Sequence, residues 1–394
     1  MIDSKAALAQ TLAGAQALAD ALTEAQAQAD SFSAANVELQ AQLDTANATI
    51  ADLRVQLAAK SDVPAGYRAV PANASHDAIQ AELDKGGNVY LPAGRYSIDA
   101  VKALKPKSNS RILLHKDAVL VAQPNAERGS NIFLLDLLDN VTITGGQLVG
   151  DRDTHLGTDG EGGMGIRLHG STNVTIDGVV CSGFWGDGVV VGPYKGRTWT
   201  VSRNVVVRNV TCTGCRRNGM SIGNVVGFLS EDCTLTDNGN DPDGDGPIAP
   251  GTSPFCGLDV EPDPDTNLTA ASEAHDLVFR RLKASGNHTH GVNVWKRVYN
   301  VRFEDCDLSG NGSVGLKSIE ARGITLTGNR VSGNETAGVQ IGSGNDGVNV
   351  TGNTFSQNGG MKARLTSIVK DGIVSTRDLS VGATDRVIGV NTYA

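Results

Sequence analysis

Aromatic residues make up only 4% of the 394-residue chain, and just six residues are cysteine. Six thiols in so long a chain are too few for a disulfide scaffold. No apolar run approaches the ~20 residues that a membrane-spanning helix needs, so no membrane insertion by a helix is expected. Lys and Arg number 34 against 43 Asp and Glu, with no basic stripe, so the net charge is −9 and nucleic acid is not an expected partner. Met1 opens a polar, alanine-rich stretch without an apolar core or cleavage site, so no secretory leader is expected there. Gly-x-Ser-x-Gly, Walker and dinucleotide motifs are all missing. Cys212-Thr-Gly-Cys215 lacks the second pair of a metal site, and the cysteines read as small buried hydrophobes.

The chain changes character near residue 60. From Leu8 to Leu57, thirteen of the fifteen positions spaced alternately by three and four are apolar, with Gln, Asp, Glu, Thr and Ser between them. That spacing predicts a coiled-coil helix about 75 Å long. Asn36 at an a position would fix register, whereas Ile50 at a and Leu53 at d do not settle the strand number. The expected organisation is a stem over 1–60, a linker over 61–70, a repeat domain over 71–375 and a tail over 376–394.

Beyond the linker, eight segments align, starting at Val141, Val174, Val205, Phe228, Leu277, Val301, Ile324 and Val348. Their spacings of 33, 31, 23, 49, 24, 23 and 24 residues fit a unit of 23–24 with insertions. Ten residues into most of the later units stands an asparagine: Asn238, Asn287, Asn311, Asn334 and Asn358. A glycine followed by alternating apolar residues comes next, as in Gly257-Leu-Asp-Val and Gly291-Val-Asn-Val. Steps of two are the strand period, and a repeat of this length is a solenoid. No Leu-x-x-Leu-x-Leu core is present, which excludes leucine-rich repeats. The expected fold is all-β, a parallel β-helix of roughly ten coils and about 50 Å, its asparagines forming a ladder from coil to coil.

Ser75-His-Asp-Ala-Ile-Gln-Ala-Glu-Leu, followed by Gly86-Gly-Asn-Val-Tyr-Leu-Pro-Ala-Gly-Arg-Tyr96, resembles the opening of the pectate-lyase-like superfamily of right-handed parallel β-helices. The resemblance implies a capping helix near 75–85 and a first coil after it. Stem, β-helix and missing leader together resemble the bacteriophage tailspikes. That resemblance implies an extracellular, virion-associated homotrimer that binds and cleaves a bacterial surface polysaccharide.

Asn238 and Gly257 lie nineteen apart instead of four, and Gly257 to Leu277 is ten longer than usual, so two insertions flank Gly257-Leu-Asp-Val-Glu-Pro-Asp263. Loops that break a strict repeat commonly wall a site. Leu258 and Val260 match inward positions, so Asp259 and Glu261 point out as the candidate catalytic pair. Glu261 has Gly192 and Gly223 in the preceding coils of its column and Trp295 in the next. Trp295 would stack on a sugar and desolvate Glu261. His290, Asn293, Lys317, Asp187 and Arg167 occupy adjacent columns as candidate substrate-binding residues. Asp263 and Asp265 alternate with prolines and read as an exit turn. Asp241, Asp243 and Asp245 match the start of a calcium loop but lack its closing Glu, with Thr252 at that position. No cofactor is otherwise implied.

Three functions remain open: a glycoside hydrolase using the carboxylate pair, a polysaccharide lyase drawing on Lys317, Arg167 or His290, and a non-catalytic carbohydrate-binding fibre using Trp295.

Overall fold

The computed structural model describes residues 4–61, 63–196, 199–239, 251–264, 274–359, 368–370, 373–375, 378–383 and 385–393. The chain divides into two units, Met1–Ser61 and Asp62–Ala394.

The first unit is one helix, α1, Ser4–Ser61. Its outer positions are tied by Gln-to-Asp hydrogen bonds four residues apart, Gln16 to Asp20, Gln26 to Asp30 and Gln40 to Asp44. The heptad residues Leu18, Leu22, Phe32, Leu39 and Leu43 are exposed.

The second unit opens with a short strand, Arg68–Ala69, and then α2, His76–Leu83. Ser75 caps α2, its Oγ accepting from the Ala78 amide at 3.3 Å, and His76, Ile79 and Leu83 are buried. The helix stands where the capping segment was expected.

Beyond it the chain winds through three long sheets of twelve, eleven and seven strands among the described residues, parallel throughout except where Ile368–Lys370 and Ile373–Ser375 pair antiparallel at one edge of the eleven-stranded sheet. In the twelve-stranded sheet Val141, Val174, Val205, Phe228, Leu277, Val301 and Ile324 pair successively, as the repeat requires. Like residues therefore stack on like. Phe279 and Phe303 lie 4.9 Å apart in nearly parallel planes, and Cys181 pairs with Cys212. All six cysteines are buried and free.

The asparagine column is a buried ladder. Nδ2 of Asn238, Asn287, Asn311 and Asn334 each donates to Oδ1 of the next asparagine at 2.9–3.0 Å. The Asn311 amide also donates to the Ala284 carbonyl, and its Oδ1 accepts from the Asn287 backbone amide. The ladder explains the glycine that follows each asparagine. A Cβ at Gly257 would lie 2.7 Å from Asn287 Nδ2 and 2.8 Å from the Gly291 carbonyl, so no side chain fits. Asn311→Leu should lower stability by about 1–3 kcal/mol, because its buried neighbours lose partners. An unchanged denaturant midpoint would show that the ladder adds nothing.

The final residues depart from expectation. Leu379–Val381, Arg386–Ile388 and Thr392–Tyr393 pair in parallel with the preceding coil, one in each sheet layer, rather than forming a tail. The sequence hid this continuation because Asp378, which stands opposite Gly338, follows Asn358 by twenty residues instead of four, and the strands after it are too brief to show a period.

Candidate functional site

The candidate residues lie on the outer surface of the eleven-stranded sheet. Across it run Arg167, Val190, Ser221, Asp259, Asn293, Lys317 and Gln340, paired strand to strand. In the next column His169 pairs with Gly192 and Trp295 with Ile319. Extending those registers by one residue puts Gly223 and Glu261 between Gly192 and Trp295. Gly192 is not forced by crowding, since a Cβ there would meet only His169 at 3.6 Å. Its missing side chain instead leaves room.

That room is a cleft of about 1050 Å³. Glu261, Asp259, Trp295, Asp187 and Arg167 line it, whereas Asn293, His290 and Lys317 do not. Glu261 is exposed at the cleft, and its backbone amide is held by the Ile222 carbonyl at 2.9 Å.

Asp259 departs from expectation: it points away from the coil interior, yet is only 2% exposed. Alternation along a strand separates coil interior from coil exterior, not wet from dry. Asn293 lies beside it on the next strand and donates Nδ2 to its Oδ1 at 2.9 Å, the use to which the structure puts this candidate ligand. Burial pushes the Asp259 carboxyl up to about 7, helped by the charges of Glu261 and Asp187 and opposed by the Asn293 bond and Arg217. Of the two outward carboxyls, the buried one is Asp259, whereas Glu261 is exposed.

Asp187 is fully buried and already engaged. Its Oδ2 accepts from Arg217 Nη1 at 2.9 Å and Ser221 Oγ at 2.7 Å, and its Oδ1 from the Asn218 amide at 2.9 Å. Arg217 is itself largely buried. Its pKa is raised although burial opposes this, because Asp187, Asp259 and Glu161 surround it. Asp187 therefore holds Arg217 between two carboxylates and is no free acid or base. Burial pushes His290 down to about 4, with Lys317 adding to the effect, so its ring is neutral and stands outside the cleft.

The walls are also not those expected. Of the two insertions around Asp259, the second contributes Pro262, Asp263 and Pro264, and the described part of the first does not line the cleft. Among the described residues, the other walls include Gly160–Gly162 and Tyr194–Lys195, which pairs antiparallel with Trp199–Thr200. Lys195 crosses from that hairpin to Asp263 Oδ1 at 2.7 Å. The repeat carried a signal for both segments: the spacings of 33 and 31 after Val141 and Val174 exceed the basal unit. Arg217 had no such mark, whereas the period alone puts His169 in the column of Glu261.

Asp241, Asp243, Asp245 and Asp265 lie outside the described residues. Among the described residues no cluster of three His, Cys, Asp or Glu side chains is placed to hold a metal ion.

A family model described as "Right handed beta helix region" matches residues 164–355 and 265–378, together more than half of the chain. The chain belongs to the right-handed β-helix family. It is 33% identical over 196 residues to the SPbeta prophage-derived uncharacterized protein YorA of Bacillus subtilis, covering 44% of this chain and 32% of that one. To the uncharacterized protein YclG of the same organism it is 28% identical over 225 residues, covering 52% and 37%. The chain thus spans about a third of the length of the curated relatives it matches.

Among solved right-handed β-helices, the A-module of the Azotobacter vinelandii mannuronan C-5 epimerase AlgE6 is similar in fold. The TM-score is 0.60 at 17% identity, over 81% of this chain and 89% of that one. The tailspike protein gp49 of Acinetobacter baumannii bacteriophage Fri1, a capsular polysaccharide depolymerase, gives 0.57 at 13% identity over 84% and 63%. At such identities these likenesses concern the fold.

Proposed function

We propose that this right-handed β-helix binds a polysaccharide in the Asp259 cleft and hydrolyses its glycosidic bonds. The observation that carries the reading is one buried carboxyl, raised to about 7, two residues from an exposed one in the same cleft. Asp259 holds a proton near neutrality and donates it to the leaving oxygen. Glu261 acts from the open side as nucleophile or as base for water. Residues two apart on a strand have Cα atoms about 6.6 Å apart, compatible with either a retaining or an inverting pair. Trp295 offers a stacking surface in the next coil. The tailspike and epimerase likenesses support a polysaccharide as the ligand.

A second reading, elimination, draws support from the basic side chains of the cleft, which would accompany an acidic polymer. Product analysis separates them: hydrolysis yields a new reducing end without ultraviolet absorbance, elimination yields a conjugated uronate that absorbs. Release of neither would leave a binding fibre.

The exposed heptad face of α1 supports assembly as a homotrimer with parallel coiled stems, and with the tailspike likeness an extracellular, virion-associated location. Light scattering of the full chain should give three times the monomer mass; a monomer at micromolar concentration would sink the assembly.

A further inference from the structure

Five cationic side chains line the cleft: Arg128, Arg167, Lys195, Arg217 and Arg297. Four have oxygen partners. Arg128 faces Asp159 at 3.2 Å, Lys195 faces Asp263 at 2.7 Å, Arg217 faces Asp187 at 2.9 Å, and Arg297 donates to the Pro262 carbonyl at 2.9 Å. Arg167 differs. Its Nε donates to His169 Nε2 at 2.8 Å, a nitrogen that accepts only if the ring is neutral there. The ring proton then sits on Nδ1, which faces Asp136 Oδ1 at 3.3 Å. His169 thus holds the Nε edge of the guanidinium.

Neither strand neighbour of Arg167 neutralises its charge, since these are Leu134 and Val190. Partial burial lowers its pKa despite the pull of Asp136 and Asp187, the mark of a guanidinium deprived of water and not repaid by a close carboxylate. A guanidinium fixed at Nε presents its terminal nitrogens as a fork, which matches a planar carboxylate.

We infer that Arg167, held at Nε by His169, is the anchor for a carboxylate-bearing sugar, a uronate residue of the polymer in this cleft. The inference rests on the reading that the cleft takes a polysaccharide, and is independent of which residue performs the chemistry. Arg167 and Asp259 lie in one column three strand spacings apart, about 14 Å. The acidic sugar therefore sits away from the bond held at Asp259, and the ligand spans both positions.

Binding of oligogalacturonate, oligomannuronate and hyaluronan oligosaccharides, each beside its carboxyl-reduced form, tests this by titration calorimetry. The full chain carrying Glu261→Gln is used so that cleavage does not intervene, with dextran sulfate as the anion without carboxylates. At least one uronate polymer should bind, and its carboxyl reduction should cost about 10- to 100-fold. Arg167→Gln should cost the same factor and abolish the difference between native and reduced forms, while Arg167→Lys keeps charge without the fork and falls between. Undiminished discrimination in a folded Arg167→Gln or Arg167→Lys protein overturns the inference. So does dextran sulfate binding as tightly as the best uronate, or no uronate binding at all. Unimpaired cleavage by Glu261→Gln would instead remove the catalytic assignment and leave the anchor standing.

Discussion

Glu261→Gln should lower turnover by about 10²–10⁴-fold, the usual loss when a group that moves a proton or attacks the substrate is neutralised. The substitution keeps the side chain's shape in an exposed position, so folding and ligand binding should persist. Asp259→Asn should reduce turnover comparably for a different reason: the amide retains a partner for Asn293 but has no proton to give. Wild-type cleavage by both variants would move the chemistry elsewhere. The wild-type rate should fall as pH rises through about 7, where Asp259 loses its proton.

The same carboxyl makes stability depend on pH. Its folded value of about 7 exceeds the ordinary 3.8, so between those values the folded state holds a proton that the unfolded chain has released. That contribution is fully present below pH 3.8 and is lost as pH rises towards 7, at up to about 1.4 kcal/mol per unit. Asp259→Asn should flatten this part of the stability profile. A slope identical to wild type would mean that Asp259 titrates as an ordinary surface acid.

Arg217→Met should destabilise the protein by about 3–5 kcal/mol, because Asp187 would remain fully buried with its charge uncompensated. Ser221 and the Asn218 amide would still donate to it, but neither carries charge. Replacing both partners, as Arg217→Met with Asp187→Leu, should recover most of the loss, since the penalty comes from the stranded charge rather than from the missing contact. Denaturant unfolding reads both changes. A single variant within about 0.5 kcal/mol of wild type would place the pair in water. Arg217 also draws the Asp259 value down, so its loss should move the alkaline limb of any remaining activity to higher pH.

The repeat was legible because a solenoid writes each coil in the same order. Val174 stacks on Val141, Asn311 on Asn287, and Gly219, Gly257, Gly291, Gly315 and Gly338 are required by the ladder beside them. Such contacts join equivalent positions one unit apart, so the period alone reveals them. The outward direction of Asp259 and Glu261, and the column that joins Glu261 to Trp295, followed from strand alternation and the same period. The capping helix was implied by the resemblance of the stretch from Ser75 to Tyr96 to the opening of the pectate-lyase-like superfamily.

What the period does not carry was decided by packing across the outer surface. Asp187 meets Arg217 thirty residues away at a different position of its coil, and a pairing between unlike positions leaves no periodic trace. Asp259 is dry and Glu261 wet although both point outward, because the walls, Arg217 and Asn293 cover one and leave the other open. The walls come from segments whose sequence shows only that the repeat is interrupted, not where the interruption folds. The sequence by itself therefore determined the coil, its ladder and the face that bears the carboxylates. Only the tertiary structure decided which carboxyl loses its water, since desolvation depends on everything that surrounds a group and not on its neighbours along the chain.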